Sequence, residues 1–318
     1  MIKHEKYSSN LIGAYNACAI LVKSEFMFEN IIYKFKSLRV NFVSDEKYLA
    51  KRFIQKLGYV PNFNQPQSFN EKVTARMIFD RDDTHTQLAD KLAVRQFVID
   101  KIGENYLVPL LGVYKDCKEI DFDALPDQFV LKCSHDSGSA VVCKNKNNFA
   151  LDCSKQKLKQ HMNMNMYVMK REWHYKNVPA MIIAETYIEL YQDASKRYTI
   201  TTCRVHCFEG QPEFVEIDIE KADSECYSNI YDTQWTLQSF KVDLKNNAPD
   251  EIAKPSQFEE MIGLAKKLCF ESGYSRIDFL LSQDRVFFSE ITLTPNAGRM
   301  VIEPKEWDLK LGQYWKNQ

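Results

Sequence analysis

The segment Ser275-Arg276-Ile277-Asp278-Phe279 runs on through Asp284-Arg285 to Phe288-Ser289-Glu290-Ile291-Thr292 and then to Pro295. Residues two apart on a strand share a face, so Arg276 goes with Asp278 and Glu290 goes with Thr292. A turn at Asp284-Arg285 would fold the second strand back on the first, bringing two carboxylates, a hydroxyl and a guanidinium to one spot. Such oxygens suit Mg²⁺, which is usually held by one or two carboxylates plus substrate phosphates. The guanidinium can neutralise charge developing on a transferring phosphoryl group. A hairpin with an exposed salt bridge has the same pattern, so the rest of the chain must decide.

Working outward, Phe258–Ser272 has apolar residues at helical spacing and stops at Gly273. Before it, Arg197–Phe208, Glu213–Ile219 and Trp235–Val242 read as successive strands, with Glu209-Gly210-Gln211-Pro212 as a hairpin turn. Shorter strands are expected at Val108–Tyr114, Phe129–Cys133, Ala140–Cys143 and Ile182–Ile188. Helices are expected over Glu46–Leu57, Asn70–Phe79, Gln87–Ile102 and the Met-rich stretch Leu158–Lys170, which reads as packing. Helices mixed with antiparallel strands place the chain in the α+β class.

With 318 residues, 45% hydrophobic and 27% charged, the chain suits one or two globular domains. A net charge of −1 argues against nucleic-acid binding, which needs a concentrated basic surface. Nine scattered cysteines without a C-x-x-C pair read as reduced thiols, and so point to the cytoplasm. Met1–Asn10 is too polar for a signal peptide, and the apolar stretch Leu11–Val22 is short and contains Asn16. Membrane association would have to be peripheral.

Four stretches could carry chemistry. Phe129 to Ser139 delivers Lys132 on a hydrophobic strand into a loop of small polar residues with one glycine. Such a loop can fold its N–H groups over phosphate oxygens while the lysine adds a point charge, although a strand lysine beside an ordinary turn looks the same. Ile182-Ile183-Ala184-Glu185-Thr186-Tyr187-Ile188 ends a buried strand on a Glu and an aromatic; it could read a purine edge or simply end at the surface. Lys91 and Arg95 are four apart in the Gln87–Ile102 helix, where solvated surface is the plain explanation. Arg204 and His206 share a strand face with Thr202, and Cys203/Cys207 has no second pair to make a zinc site. No G-x-S-x-G is present.

In order along the chain, these pieces resemble the ATP-grasp superfamily and, more closely, the teichuronopeptide-biosynthesis (TupA-like) ATP-grasp amidoligases. The resemblance rests on Ser68-Phe69-Asn70-Glu71-Lys72, Ala89-Asp90-Lys91-Leu92-Ala93-Val94-Arg95, Phe129 to Gly138, Arg171-Glu172-Trp173, Ile182 to Ile188, Tyr231-Asp232, Arg276/Asp278, Glu290/Thr292 and Glu306-Trp307-Asp308. It covers the chain from about residue 50 onward.

The resemblance implies an ATP-grasp fold of mostly antiparallel sheets flanked by helices. Its expected parts are a helical N-terminal extension (1–45), a substrate or pre-ATP-grasp region (46–125), a nucleotide lid (126–192) and a catalytic subdomain (193–318). Lys91 and Lys132 would hold ATP phosphates under a flap of Ser137, Gly138 and Ser139, while Glu185, Tyr187 and Ile188 would line the adenine pocket. Arg204 would face phosphate or substrate, and Arg276 would stabilise the phosphoryl and the oxyanion. Asp278, Glu290 and Thr292 would bind one or two Mg²⁺ ions, with Thr292 where most of the superfamily carries Asn. Two departures are the flap's single glycine and the region between Asp218 and Tyr231, where the family's basic residues are partly missing and Glu220, Lys221 and Ser228 stand.

The expected activity is that of a carboxylate–amine ligase working through an acylphosphate. Its substrates would be a small-molecule or saccharide carboxylate, such as a uronic acid, and an amine such as an amino acid. The enzyme would serve capsular or cell-surface polysaccharide synthesis and lie peripheral to the assembly complex. Two alternatives stay open: a glycosyltransferase of the same pathway, against which the lack of D-x-D counts, and a nucleotide-binding module that has lost catalysis.

Overall fold

The computed structural model describes residues 30–194, 196–243 and 245–316. Residues 1–29, with the apolar stretch Leu11–Val22, lie outside the described residues; within the expected N-terminal extension, residues 30–40 are helical (α1).

Two antiparallel sheets face each other across the site. The smaller has the order β1-β4-β2-β3, formed by β1 (Leu110–Tyr114), β2 (Phe129–Cys133), β3 (Val141–Cys143) and β4 (Ile182–Thr186). The larger has the order β10-β9-β5-β6-β7, formed by β5 (Tyr198–Phe208), β6 (Gln211–Lys221), β7 (Cys226–Asp232), β9 (Tyr274–Leu281) and β10 (Val286–Thr292). The β5–β6 hairpin turns at Glu209 and Gly210, both with positive φ, which matches the right-handed strand twist. Ser282 and Arg285 close the β9–β10 turn at the expected place, with Ser282 N–H donating to the Arg285 carbonyl at 2.9 Å.

Helices α8 (Phe258–Leu268) and α5 (Val94–Ile102) back one face of the larger sheet, while α3 (Phe69–Phe79) and α9 (Glu306–Tyr314) cover only one end of the other face, at Phe208, Phe214 and Tyr274. In α8, Phe258, Met261, Leu264, Ala265 and Leu268 recur at helical spacing and are buried against Cys203, Val205, Ile217, Ile277 and Phe279 of the sheet. Val94 and Val98 of α5 join the same core. Each large apolar side chain buried here contributes about 1.5–3 kcal/mol. The alternate residues of β5, β6 and β9 therefore point the other way, toward the smaller sheet and, at Phe208, Phe214 and Tyr274, toward α3 and α9. That sheet rests its own apolar face, including Phe129, Leu131 and Ala184, on Leu158 of α6 (Leu151–Met162).

Several expected elements come out differently. The helix expected over Gln87–Ile102 is two, α4 (Asp83–Ala89) and α5, because the Asp90 carboxylate accepts from the Leu92 N–H at 2.9 Å. A side chain that competes for backbone donors in this way breaks a helix. Lys91 sits in the break, its N–H donating to the Ser134 carbonyl at 3.1 Å. The Met-rich helix is also divided: α6 ends at Met162, and Asn165 caps α7 (Met166–Lys170) by accepting from Tyr167 N–H at 2.9 Å. The strand expected at Trp235–Val242 shrinks to β8 (Lys241–Val242); the fifth strand of the larger sheet is β7. Asp232 ends β7 by accepting from the Gln234 and Thr236 N–H groups, which coils the following residues. Helix α8 stops at Leu268 rather than Ser272.

The terminal motifs interlock. Ser68 and Glu71 form a capping box on α3 (Phe69–Phe79). The buried Asn70 amide donates to the Met300 carbonyl at 2.9 Å and accepts from its N–H at 2.8 Å. Asp308 of α9 (Glu306–Tyr314) accepts from the Asn70 N–H at 3.0 Å. These bonds hold residues 296–300 against the end of the larger sheet.

Candidate active site

Register places four charged residues in one line. Arg204 on β5 lies opposite Glu216 on β6 and opposite Asp278 on β9, and Asp278 lies opposite Glu290 on β10. The line Glu216–Arg204–Asp278–Glu290 thus crosses the larger sheet on the face opposite α8. A bulge at Ser289 makes the last step possible. Before it, Val286 and Phe288 face the core; after it, Ile291 and Leu293 do. The extra residue reverses the alternation and turns Glu290 and Thr292 toward Asp278 and Arg276.

The guanidiniums are locked. Arg276 donates to both Asp278 oxygens, at 2.7 and 2.6 Å, and to the Thr292 hydroxyl at 3.0 Å. Thr292 in turn donates to Glu290 at 3.3 Å. Arg204 donates to Glu216 at 2.9 Å and to Asp218 at 2.5 Å, and stands 4.0 Å from Asp278. Lys245 adds a contact to Asp218 at 2.6 Å. His206 is buried between Glu216, at 3.6 Å, and the Tyr274 hydroxyl, at 2.9 Å, where it supports the line from behind.

Burial raises the Asp278 carboxyl to about 6 against the pull of Arg276, with a further push from Glu290. Burial would raise Glu290 too, but the charges of Lys91, Arg276 and Lys132 outweigh it and hold that carboxyl below its usual range. The His206 hydrogen bond and the Arg204 charge likewise overcome burial at Glu216 and keep it ionised.

The smaller sheet and its loops form the opposite wall. Lys132 on β2 pairs with Glu185 on β4 at 2.7 Å, and Arg95 approaches the same carboxylate at 3.6 Å. The Glu185 carboxylate thus faces two cations. Lys91 reaches the Asp136 carbonyl and stands 3.5 Å from Glu290. Of the expected flap, Ser139 is buried: its hydroxyl accepts from the Cys133 N–H at 2.8 Å and donates to Asp136 at 2.6 Å. His161 also bonds Asp136. Ser137 and Gly138 stay exposed, Gly138 with φ 98°, a conformation that favours glycine.

Between the walls lies a cleft of about 670 Å³. Lys91, Lys132, Ser137, Gly138, Ser139, Glu185, Tyr187, Ile188, Arg204, Arg276, Asp278 and Glu290 all line it. Thr292 is outside the lining, one hydrogen bond behind Glu290. Val108, Val130, Val142 and Leu280 make one end apolar; Asp243, Lys245 and Asn296 make the other polar. Glu216, Asp218, Lys245, Asp136 and His161 complete the site and were not singled out from sequence.

Among the described residues no group of three His, Cys, Asp or Glu side chains converges as a metal cage. Two facing carboxylates beside an open cleft fit Mg²⁺, which takes few protein ligands and completes its shell with water and phosphate oxygens. Each Asp278 oxygen accepts one bond from Arg276 and keeps a lone pair for a cation.

A family model described as TupA-like ATPgrasp matches residues 71–316. No curated protein matches the sequence. Among solved structures, the chain is similar to an L-amino acid ligase from Bacillus licheniformis, with 13% identity and a TM-score of 0.41 over 72% of this chain and 49% of that one. It is similar to a D-alanine–D-alanine ligase from Bacillus anthracis complexed with ATP, with 14% identity and a TM-score of 0.36 over 65% and 55%. A RimK domain protein ATP-grasp from Sphaerobacter thermophilus gives 13% identity and a TM-score of 0.37 over 77% and 69%. The chain spans about half the length of the first two.

Proposed function

This chain belongs to the TupA-like ATP-grasp family, and from that premise we propose that it is an ATP-dependent carboxylate–amine ligase working through an acylphosphate. One observation carries the reading: the line Glu216–Arg204–Asp278–Glu290 and the lysines Lys91 and Lys132 face each other across a single cleft that is apolar at one end and polar at the other.

ATP would lie with its base at the apolar end, against Tyr187 and Ile188 and the backbone that follows β4, and with its phosphates between Lys91, Lys132 and the exposed N–H groups at Ser137 and Gly138. Glu185 orients Lys132 and Arg95 for this task. Asp278 and Glu290 would hold Mg²⁺, with Thr292 fixing the Glu290 carboxylate or adding its own oxygen. When bound, the ion neutralises phosphate charge and aligns the terminal phosphoryl group.

A carboxylate oxygen of the substrate attacks the terminal phosphorus as the bond to the departing ADP breaks. An amine then adds to the acylphosphate carbonyl, loses a proton, and expels inorganic phosphate. Arg276, immobilised by Asp278 and Thr292, supplies fixed positive charge to the phosphoryl and to the tetrahedral oxyanion, an effect that needs preorganisation more than mobility. Arg204, held by Glu216 and Asp218, faces the second substrate. No protein nucleophile is required.

By resemblance, the carboxylate is a uronic acid or similar saccharide acid and the amine an amino acid. The product would belong to a capsular or cell-surface polysaccharide, made in the cytoplasm at the periphery of an assembly complex, with 126–192 as the lid and 193–318 as the catalytic part. The reading is tested by screening nucleotides with Mg²⁺ for a thermal shift, then amino acids and uronic acids for phosphate release. Release that requires both substrates supports the ligase; a donor-sugar reaction indifferent to ATP would replace it with a transferase.

A further inference from the structure

Beside the polar end of the cleft is a second cavity of about 480 Å³, lined by Arg52, Gln55, Lys56, Asp243, Asn296 and Arg299. Asp243 and Asn296 line the main cleft as well, so the two spaces share a wall. That wall is hydrogen-bonded, Asn296 donating to Asp243, and it is strained: Asp243, Asn296 and Ala297 have φ of 54°, 51° and 50°. Non-glycine residues held in this region cluster at ligand clamps and active sites.

The cavity is rich in cations that, among the described residues, form no ion pair with a carboxylate, Glu172 acting on Arg299 only from a distance. Among the described residues, Arg52 bonds only the Gln55 amide oxygen, at 3.4 Å, and Arg299 only the Ala297 carbonyl, at 2.9 Å. Lys36 of α1 bonds the Met169 carbonyl at 3.2 Å and lies close enough to feel Arg52, Lys170 and Arg299. Burial first, and then those three positive charges, lower the Lys36 ammonium below its ordinary value. Asp243 is the one acid in the lining, and its carboxylate is turned to Asn296 and the Val301 N–H. Elsewhere in the site Arg95, Arg204 and Arg276 are ion-paired; here, among the described residues, neither Arg52 nor Arg299 is.

We propose that this vestibule is the subsite for a phosphate or diphosphate group carried by the non-nucleotide substrate, whose reacting end passes the Asp243–Asn296 wall into the cleft. The inference rests on the ligase reading for the placement of that reacting end. A compact group with two or more charges on neighbouring oxygens matches several open cations around one small cavity, whereas a carboxylate brings a single charge; guanidinium forks add bidentate geometry. A soluble phosphorylated substrate and a lipid-borne one would present the same group.

The test is calorimetric titration of inorganic pyrophosphate into the full chain saturated with AMP-PNP, at fixed free Mg²⁺. Arg52 and Lys56 are exposed on α2 (Asp45–Leu57), so Arg52→Glu/Lys56→Glu retains the fold. The expected result is one pyrophosphate per chain, bound tenfold or more weakly by the double variant, with AMP-PNP affinity unchanged. Equal pyrophosphate affinity in the double variant, or citrate bound as tightly as pyrophosphate, overturns the proposal. If AMP-PNP fails to bind the wild type while the double variant still loses pyrophosphate, the nucleotide reading falls and the vestibule stands. Co-sedimentation with phosphatidylcholine vesicles containing a polyprenyl diphosphate, lost in the double variant, identifies a lipid-borne source; pyrophosphate binding without co-sedimentation identifies a soluble one.

Discussion

Replacing Glu290 by Gln separates folding from chemistry. The carboxylate stands 3.5 Å from Lys91 and accepts from Thr292 at 3.3 Å. The amide keeps its size and can still accept from Thr292, so the main stabilising loss is the ion pair, about 1 kcal/mol for a partly exposed pair. An opposing gain comes from Asp278, which lies directly across the sheet and is raised to about 6 partly by the Glu290 charge. Removing that charge relieves the repulsion, so the two effects largely cancel, and the apparent Tm should move by no more than about 2 °C. Turnover has no such compensation if Glu290 holds Mg²⁺ as proposed, because one of the two carboxylates assigned to the ion has lost its charge. We expect ATP binding to need far more Mg²⁺ and kcat to fall roughly a hundredfold or more, about 2.7 kcal/mol in barrier height. The assay is phosphate release across a Mg²⁺ titration, beside a melting curve of each variant. Wild-type turnover by Glu290→Gln at low Mg²⁺ would refute the assignment of this strand pair.

Lys132→Ala should abolish most of the thermal shift given by ATP with Mg²⁺, since ligands stabilise by mass action through the native state alone; an undiminished shift removes Lys132 from the phosphate site. Thr292→Asn tests whether that hydroxyl is a ligand: an amide should preserve or improve Mg²⁺ affinity if it is, and a large loss of affinity makes Thr292 a support for Glu290 and Arg276 instead. Met162→Leu and Met166→Leu should leave turnover nearly intact, because volume-conserving swaps usually cost under about 1.5 kcal/mol. His174 supplies a pH signature. Burial lowers its folded pKa to about 3, so protonation favours the unfolded chain, and stability falls as pH drops below the unfolded value of about 6.5. Between pH 8 and pH 5 this group alone should remove about 2 kcal/mol of unfolding free energy, and His174→Gln should flatten that part of the profile in urea titrations. An identical pH profile in the variant would show that His174 is not held neutral.

What the sequence disclosed and what it withheld divide along a physical line. Period-2 alternation put Arg276 with Asp278 and Glu290 with Thr292, because local strand geometry decides which side chains share a face. The same rule could not show that a bulge at Ser289 keeps that face in line with the core, since Val286 and Phe288 point inward at one parity and Ile291 at the other. A second irregularity hid Glu216. Counting back from the turn at Glu209–Gly210 pairs Phe208 with Gln211 and Cys207 with Pro212, but the register then slips so that His206 meets Phe214 and Arg204 meets Glu216. Without the slip, Arg204 would sit opposite Val215 and the charged line would not form. Bulges depend on the whole sheet, so a linear pattern does not announce them. Lys91 shows the opposite case. The Gln87–Ile102 pattern predicts one continuous helix, yet Asp90, which the same stretch contains, is a residue type that captures backbone donors and ends helices. The resulting break lets Lys91 bond the Ser134 and Asp136 backbones from outside the helix and brings its ammonium to Glu290. The site is therefore assembled where regular structure fails: at two bulges, one broken helix and the strained Asp243–Asn296 wall.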